Sequence, residues 1–310
     1  MVMETIHFKL GDSVQIEPLT LAIGYFDGIH KGHQALVMDA RQYALEHHCK
    51  CGMMTFSPNP AVVTGKLKTD NYLTSIQDKA EILEQLGADY LIVVEFTEEV
   101  CHLSPRDFFD AILKVFPIQM IVCGFDFHFG FKGAGSGETL KEFASYPVYI
   151  QDKVTDREEK ISTTRINKAL ITGNFEDVNR LLGRPYKIEG QIIKGRQIGR
   201  TIGFRTANVE YGAYRIPELG VYAVVFEVDG KKYTGMANIG YNPTFNALNK
   251  PSLEVNIFDF DEDIYGKRAK VYFYHMIRPE TRFSSPQALI NQLHRDQNSI
   301  KEYFNEHSVL

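Results

Sequence analysis

Four continuous apolar runs, Leu19–Tyr25, Cys51–Phe56, Tyr90–Phe96 and Met120–Phe125, punctuate the first half of the chain. Between them lie segments whose apolar residues recur at helical spacing: Gln34–His47, Ser75–Leu86 and Pro105–Val115. A strand buried on both faces loses the in-out alternation of a half-exposed strand, and strands separated by helices run parallel. The pattern predicts an α/β fold with a doubly wound parallel sheet, whose ligands bind beyond the carboxyl ends of the strands.

From about Tyr186 the texture changes. The runs "YKIEGQII", "GVYAVVFEV", "KKYTGMANIG", "SLEVNIFDF" and "RAKVYFYHMI" are β-branched and aromatic, and Gly, Asn and Pro separate them without intervening helices. Such spacing predicts an antiparallel barrel or sandwich, with "VDGKK" (Val228–Lys232) as a hairpin turn. Pro286–Phe304 has helical spacing and is expected to pack on that barrel. The expected domains are 1–182 and 183–310, and 310 residues suffice for two cores.

Hydrophobic residues make up 44% and charged residues 24%, ordinary globular values, and no apolar stretch approaches the roughly 20 residues that span a bilayer. The start, MVMETIHFKL, reads against a secretory signal. A net charge of -5 argues against a duplex-DNA binder with a basic face. Four cysteines make no disulfide framework and fit a reducing cytoplasm. Cys101 and Cys123 read as core residues. "EHHCKC" (Glu46–Cys51) reads as a helix end running into a strand, with metal ligation the lesser alternative because its Cys-x-Cys spacing lacks a second ligand pair.

The string "GYFDGIHKGH", Gly24–His33, follows the first buried run. A strand that ends in glycines and enters a helix offers free backbone N–H groups and the positive end of the helix dipole, which attract phosphate. Gly28 and Gly32 allow a close approach to the backbone. His30 and His33, three apart, fall on nearly one face and can donate hydrogen bonds to phosphate oxygens. Donors aimed at developing charge are what phosphoryl or nucleotidyl transfer requires. Two isolated histidines at this spacing are equally compatible with ordinary surface or core residues, and metal ligation lacks a third ligand.

The whole string resembles the G-x-x-D-G-x-H-x-G-H signature of the nucleotidyltransferase superfamily. Further segments, in order, narrow the resemblance: "TFSPNP" (Thr55–Pro60), "GFDFHFG" (Gly124–Gly130), "ISTTRINKALITGN" (Ile161–Asn174), "LLGRPYKIEGQIIKG" (Leu181–Gly195), "IGFRTANV" (Ile202–Val209) and "LEVNIFDF" (Leu253–Phe260). The chain resembles the prokaryotic bifunctional FAD synthetases, which join an FMN adenylyltransferase to a riboflavin kinase. The resemblance implies ATP, riboflavin, FMN and FAD as substrates or products, with Mg2+. In the first domain it implies that His30 and His33 hold the ATP phosphates. Gly24, Phe26, Asp27, Gly28 and Gly32 would form the nucleotide loop, Ser162, Thr163 and Thr164 would face the triphosphate, and Asn59 and Asp126 would lie near the flavin. Taken alone, the three hydroxyls read as helix caps and Asp126 as a turn carboxylate.

In the second domain the resemblance implies an antiparallel β-barrel riboflavin kinase with a terminal helix, in which Thr206 and Asn208 serve the metal, with Asn208 also on the phosphates, and Glu254 is the general base. Gly195, Gly199 and Gly203 would let the loop approach the nucleotide. An isolated strand glutamate otherwise reads as a solvated outward residue.

Four positions depart from the family pattern: Arg205 for proline, Asn59 for histidine, His128 for arginine and Asn167 for arginine. Arg165 lies two residues before Asn167, on roughly the opposite side of a helix. Arg205 puts a long cation where it could compete with the metal for phosphate or block the pocket. Alternatives are therefore a monofunctional adenylyltransferase with a degenerate kinase domain, or a non-catalytic flavin-binding regulator. A sister nucleotidyltransferase would not need "TAN" or "LEVNIFDF". The expected partners are small molecules, with no nucleic acid, no membrane, and a monomer or weak homo-oligomer.

Overall fold

The computed structural model describes residues 3–195, 203–241 and 250–308. By spatial contacts the chain divides into two compact units, Met1–Thr163 and Thr164–Leu310.

The first unit is built on six parallel strands: β1 (Glu4–Phe8), β2 (Leu19–Ile23), β3 (Lys50–Ser57), β4 (Tyr90–Glu95), β5 (Ile118–Gly124) and, beyond two short strands, β8 (Val148–Gln151). Their order is β1-β4-β3-β2-β5-β8, so the winding reverses between β2 and β5. Every residue of β2 is buried, and successive side chains enter opposite cores. Leu19, Leu21 and Ile23 join one cluster with Met54, Ile92 and Phe108, whereas Ala22 joins the other with Met53, Leu91 and Val122.

Helices close both faces. On the Ala22 face lie α1 (Lys31–Glu46), through Leu36, Val37, Ala40 and Ala44, and α3 (Ile76–Gln85), through Leu83; the short α2 (Pro60–Val63), which follows β3 in sequence, neighbours α4 (Glu98–His102) instead. The opposite face takes Val100 of α4, Phe108 and Phe109 of α5 (Pro105–Ala111) and Leu140 of α6 (Gly137–Phe143). Two small ribbons, β6 (His128–Phe129) with β7 (Gly135–Ser136) and β9 (Thr155–Asp156) with β10 (Glu159–Lys160), decorate the sheet.

The second unit contains the closed antiparallel barrel that the resemblance implied. Its order is β11 (Tyr186–Ile193), β12 (Ala207–Glu210), β15 (Ser252–Ile257), β14 (Lys231–Gly240), β13 (Gly220–Val228) and β16 (Arg268–Pro279). Closure is achieved by β16, which pairs with β11 on one side and β13 on the other. The expected turn joins β13 to β14, with Asp229 and Gly230 both at positive φ. Helix α9 (Pro286–His307) lays Ile300 and Phe304 against Val221, Ala223 and Val225 of β13.

Helices α7 (Thr163–Leu170) and α8 (Phe175–Leu182) follow the first unit in sequence. The sequence reading placed them in the first domain, yet α8 packs on the barrel. Phe175 stacks on Phe273 at 5.4 Å and meets Tyr222 edge-on, while the Asn179 amide donates to the Phe273 carbonyl and accepts from the Tyr186 amide.

Three expectations are corrected. The helix expected over Pro105–Val115 stops at Ala111 and continues as a 3-10 turn, because Ile112, Leu113 and Phe116 are all drawn into the core. Cys123 is buried as expected, but Cys101 on the short α4 is only half-buried. The expected helix at Gln34 begins at Lys31, for the capping reason described below. "EHHCKC" is indeed the end of α1 running into β3.

Phe175 is 1% exposed and sits among three aromatic rings. Phe175→Ala should therefore cost about 3–5 kcal/mol of second-unit stability, measured as a shift in the denaturant midpoint of barrel unfolding.

Candidate functional site

Strand β2 ends at the point where the sheet's winding reverses, the position at which doubly wound sheets bind ligands. The loop that leaves it, Gly24–His30, turns sharply into α1. Phe26, Gly28 and Ile29 all have positive φ, at +55°, +83° and +36°. For Phe26 and Ile29 this is a left-handed conformation that surrounding contacts must hold. Asp27 supplies one hold: its Oδ1 accepts the backbone N–H groups of Leu73 (2.8 Å) and Thr74 (3.3 Å). The Gly28 N–H donates to the Thr74 hydroxyl at 3.0 Å, and the Thr163 hydroxyl donates to the Asp27 carbonyl at 3.2 Å.

His30 is the N-cap of α1, its Nδ1 accepting the His33 N–H at 3.3 Å. A nitrogen that accepts carries no proton, so the neutral ring holds its hydrogen on Nε2, which becomes a donor. The two imidazoles stack with centroids 3.6 Å apart and planes 18° from parallel, and the Phe26 ring meets His33 edge-on at 5.1 Å. A Cβ on Gly32 would lie 3.1 Å from the His30 ring. Gly32 thus makes room for the imidazole, a packing reason for a glycine that the sequence reading assigned to phosphate approach. No acidic residue occupies the first turn of α1, so nothing within that turn neutralises the positive end of the dipole.

The side chains of Phe26 and Asp27 point into the protein, 2% and 6% exposed. What they contribute is the shape of the loop. Asn59 is buried and caps α2 through Oδ1, accepting the Ala61 N–H at 2.9 Å. Asp126 pairs with Lys160, whose ammonium also lies 4.5 Å from the centroid of the half-exposed Phe125 ring. His128 is exposed on β6. Ser162 is half-buried, Thr164 is exposed, and Asn167 keeps a buried Oδ1 with no hydrogen-bond partner among the described residues.

In the second unit, Asn208 of β12 faces Glu254 of β15 in register, and Asn238 of β14 faces the same glutamate from the other side. The Thr206 hydroxyl donates to Glu254 Oε2 at 3.4 Å, and Ser252 Oγ lies 3.3 Å from Oε1. Thr206, Asn208 and Glu254, 48 residues apart in sequence at the extreme, therefore share one patch of barrel surface. Glu254 is half-buried and hydrogen-bonded, not the solvated outward residue that an isolated strand glutamate suggests. A Cβ on Gly195 would fall 2.2 Å from the Asn208 amide nitrogen, so any other residue there would have to displace that side chain. Gly203 has φ +82°, and Gly199 lies outside the described residues.

Beside this patch opens a cavity of about 260 Å³ with an apolar floor, Ile192, Ala207, Val255 and Ile264, and a charged mouth at Arg205 and Asp261. Arg205 pairs with Asp261, and its carbonyl accepts the Asn256 amide at 2.6 Å.

A doubly wound α/β unit followed by a closed barrel with a carboxylate, an amide and a hydroxyl on one face is the architecture to be matched against known proteins. The FAD synthetase family model matches residues 13–165 and the riboflavin kinase model matches 182–304. Bifunctional riboflavin kinase/FMN adenylyltransferases from Listeria monocytogenes and Bacillus subtilis are 42% and 41% identical to the chain, each alignment covering 92% of both sequences. A crystal structure described as a macrolide-efflux protein from Streptococcus pneumoniae superposes with a TM-score of 0.89 at 34% identity, covering 96% of this chain and 98% of that one. No helix among the described residues is long and apolar enough to cross a membrane. The chain belongs to the bifunctional riboflavin kinase/FMN adenylyltransferase family.

Because His30 is a cap as well as a ring donor, its two roles separate by mutation. His30→Ala should lower first-unit stability by about 1 kcal/mol through loss of the cap. His30→Asn, which retains a capping oxygen, should restore most of it in a thermal or chemical unfolding measurement.

Proposed function

We propose that the protein makes FAD from riboflavin in two ATP-dependent steps, phosphorylation of riboflavin in the barrel unit and adenylylation of FMN in the α/β unit. One observation carries the reading: both constellations are assembled, the stacked imidazoles over the start of α1 and the Thr206–Glu254–Asn208 patch on the barrel. A flavin-binding regulator would have no use for either.

In adenylylation a phosphate oxygen of FMN attacks the α-phosphorus of ATP, the bond to the β-phosphate oxygen breaks, and pyrophosphate leaves. The triphosphate is held where Nε2–H of His30, the His33 ring and the uncapped N–H groups of α1 converge. Those donors stabilise the charge that builds on the leaving pyrophosphate. No protein nucleophile is involved.

In the kinase step Glu254 takes the proton of the ribityl 5'-hydroxyl as the oxygen attacks the γ-phosphorus and ADP departs. Thr206, Asn208 and Glu254 offer a hydroxyl, an amide and a carboxylate, the hard oxygen donors that suit Mg2+. Thr206 and Asn208 would hold it, and when bound the ion neutralises phosphate charge. Arg205 does not disable this site. Its side chain and that of Asp261 are 57% and 82% exposed, and an ion pair so solvated is worth only about 0–1 kcal/mol, so an arriving nucleotide opens it readily. Four free cysteines fit the cytoplasm, where ATP is plentiful. Small-molecule partners and a monomer or weak homo-oligomer complete the reading.

The test is to incubate the protein with ATP and Mg2+ plus either riboflavin or FMN and to separate the flavins by chromatography. Both FMN from riboflavin and FAD from FMN are expected. FAD alone would mean a degenerate kinase half, and neither product would mean a binding protein. Glu254→Gln should slow riboflavin phosphorylation by about 10²–10⁴-fold and leave FAD formation from supplied FMN at the wild-type rate. His30→Asn should produce the reverse pattern.

A further inference from the structure

Helix α3 presents Ile76, Ala80 and Leu83 to the core, and Lys79 stands on that same face, only 2% exposed. Its Nζ donates to the Tyr25 carbonyl at 2.8 Å and to the Thr55 hydroxyl at 3.0 Å, and lies 4.4 Å from the centroid of the Tyr25 ring. Thr55 donates in turn to the same carbonyl at 2.7 Å. A buried ammonium is costly unless it is matched by acceptors and opposite charge. Here the match comes from that carbonyl and hydroxyl, the ring face, and the carboxylates of Asp27 on the loop and Asp70 before α3. Burial still pushes the Lys79 ammonium down to about 8, against the pull of those two carboxylates.

The bonded carbonyl belongs to the peptide that leads into Phe26, the residue at φ +55° whose ring braces His33. Asp70 accepts the Asn59 N–H at 3.3 Å, so the same charge also underlies the flavin side. We propose that Lys79 is a positioning residue for adenylyl transfer: from behind the loop its ammonium pins the Tyr25 carbonyl, holds Phe26 left-handed and keeps His33 at its working angle. This rests on reading His30 and His33 as the phosphate-holding pair. Lys79 touches no substrate and acts through the loop alone.

Lys79→Met keeps the length of the side chain and removes the charge. The expected result at pH 7 is a kcat for FAD formation from FMN lowered about 10–100-fold with KM for ATP changed little, as for a misplaced catalytic group. Riboflavin phosphorylation by the same preparation should be unaltered, which reports intact folding of the second unit. In the wild type, kcat for adenylylation should fall as pH rises through about 8, and this limb should be absent from Lys79→Met. Stability gives an independent reading. Unfolded lysine holds its proton to about pH 10.4 while the folded residue releases it near 8, so the folded state binds fewer protons in that window. First-unit stability should rise with pH there in the wild type and not in the variant.

Thr55→Val, which removes one partner of Nζ, serves if Lys79→Met does not fold and should lower kcat in the same sense. Wild-type kcat in Lys79→Met, or in Thr55→Val should that be the variant that folds, overturns the proposal. So does a flat wild-type pH profile from 7 to 9. His30→Asn separates the two ideas: if it is slow while Lys79→Met is fast, only the lysine's role falls. If His30→Asn itself is as fast as wild type, the histidine reading fails and the lysine's role goes with it.

Discussion

The hydrogen bond from the His33 amide to the His30 ring is the constraint on which the proposed phosphate site of the first unit depends. It starts the helix one residue after a histidine, fixes which ring nitrogen bears hydrogen, and brings the second histidine face to face with the first. A serine or aspartate cap would start the same helix but leave the His33 ring without its stacked partner. Around this bond the loop is over-determined. Asp27 is tied to the 73–74 backbone and to Thr163, and Tyr25 is tied to Lys79 and Thr55. Two non-glycine residues at positive φ are tolerated there because so many contacts leave the chain no other path.

The two units bring different architectures to nucleotide chemistry. In the first, a helix start with no acidic residue in its opening turn and two stacked rings meet at a sheet's winding reversal. In the second, register does the work. Adjacent antiparallel strands put Asn208, Glu254 and Asn238 side by side because directly paired residues share a face, so three polar groups distant in sequence need no loop to gather them.

Much of this was legible in the sequence. The beat of apolar runs and helical spacing identified the parallel sheet, since β2 is buried on both sides and cannot alternate. Local spacing alone leaves barrel and sandwich open, because closure turns on β16 pairing with both neighbours, a long-range fact that no local pattern encodes; the ordered motifs of the second half pointed to the barrel. Edge strand β1 was missed: only Phe8 of its five residues is fully buried, so it lacks the apolar run of the inner strands. Lys79 was missed although a signal existed, for it occupies the apolar stripe of α3 between Ile76 and Leu83, and a charge on such a stripe demands buried partners. Those partners come from β3 and from the loop after β2, which only the folded chain brings near.

The barrel's closure bears on how the second unit would misassemble. With β16 joined to β11 as well as to β13, its strands form a ring with no terminal member to recruit a neighbour's backbone. Its vulnerable surface is instead the greasy band of β13 beneath α9. A copy stripped of that helix would clump through side chains, as amorphous aggregate, rather than extend edge to edge into fibres.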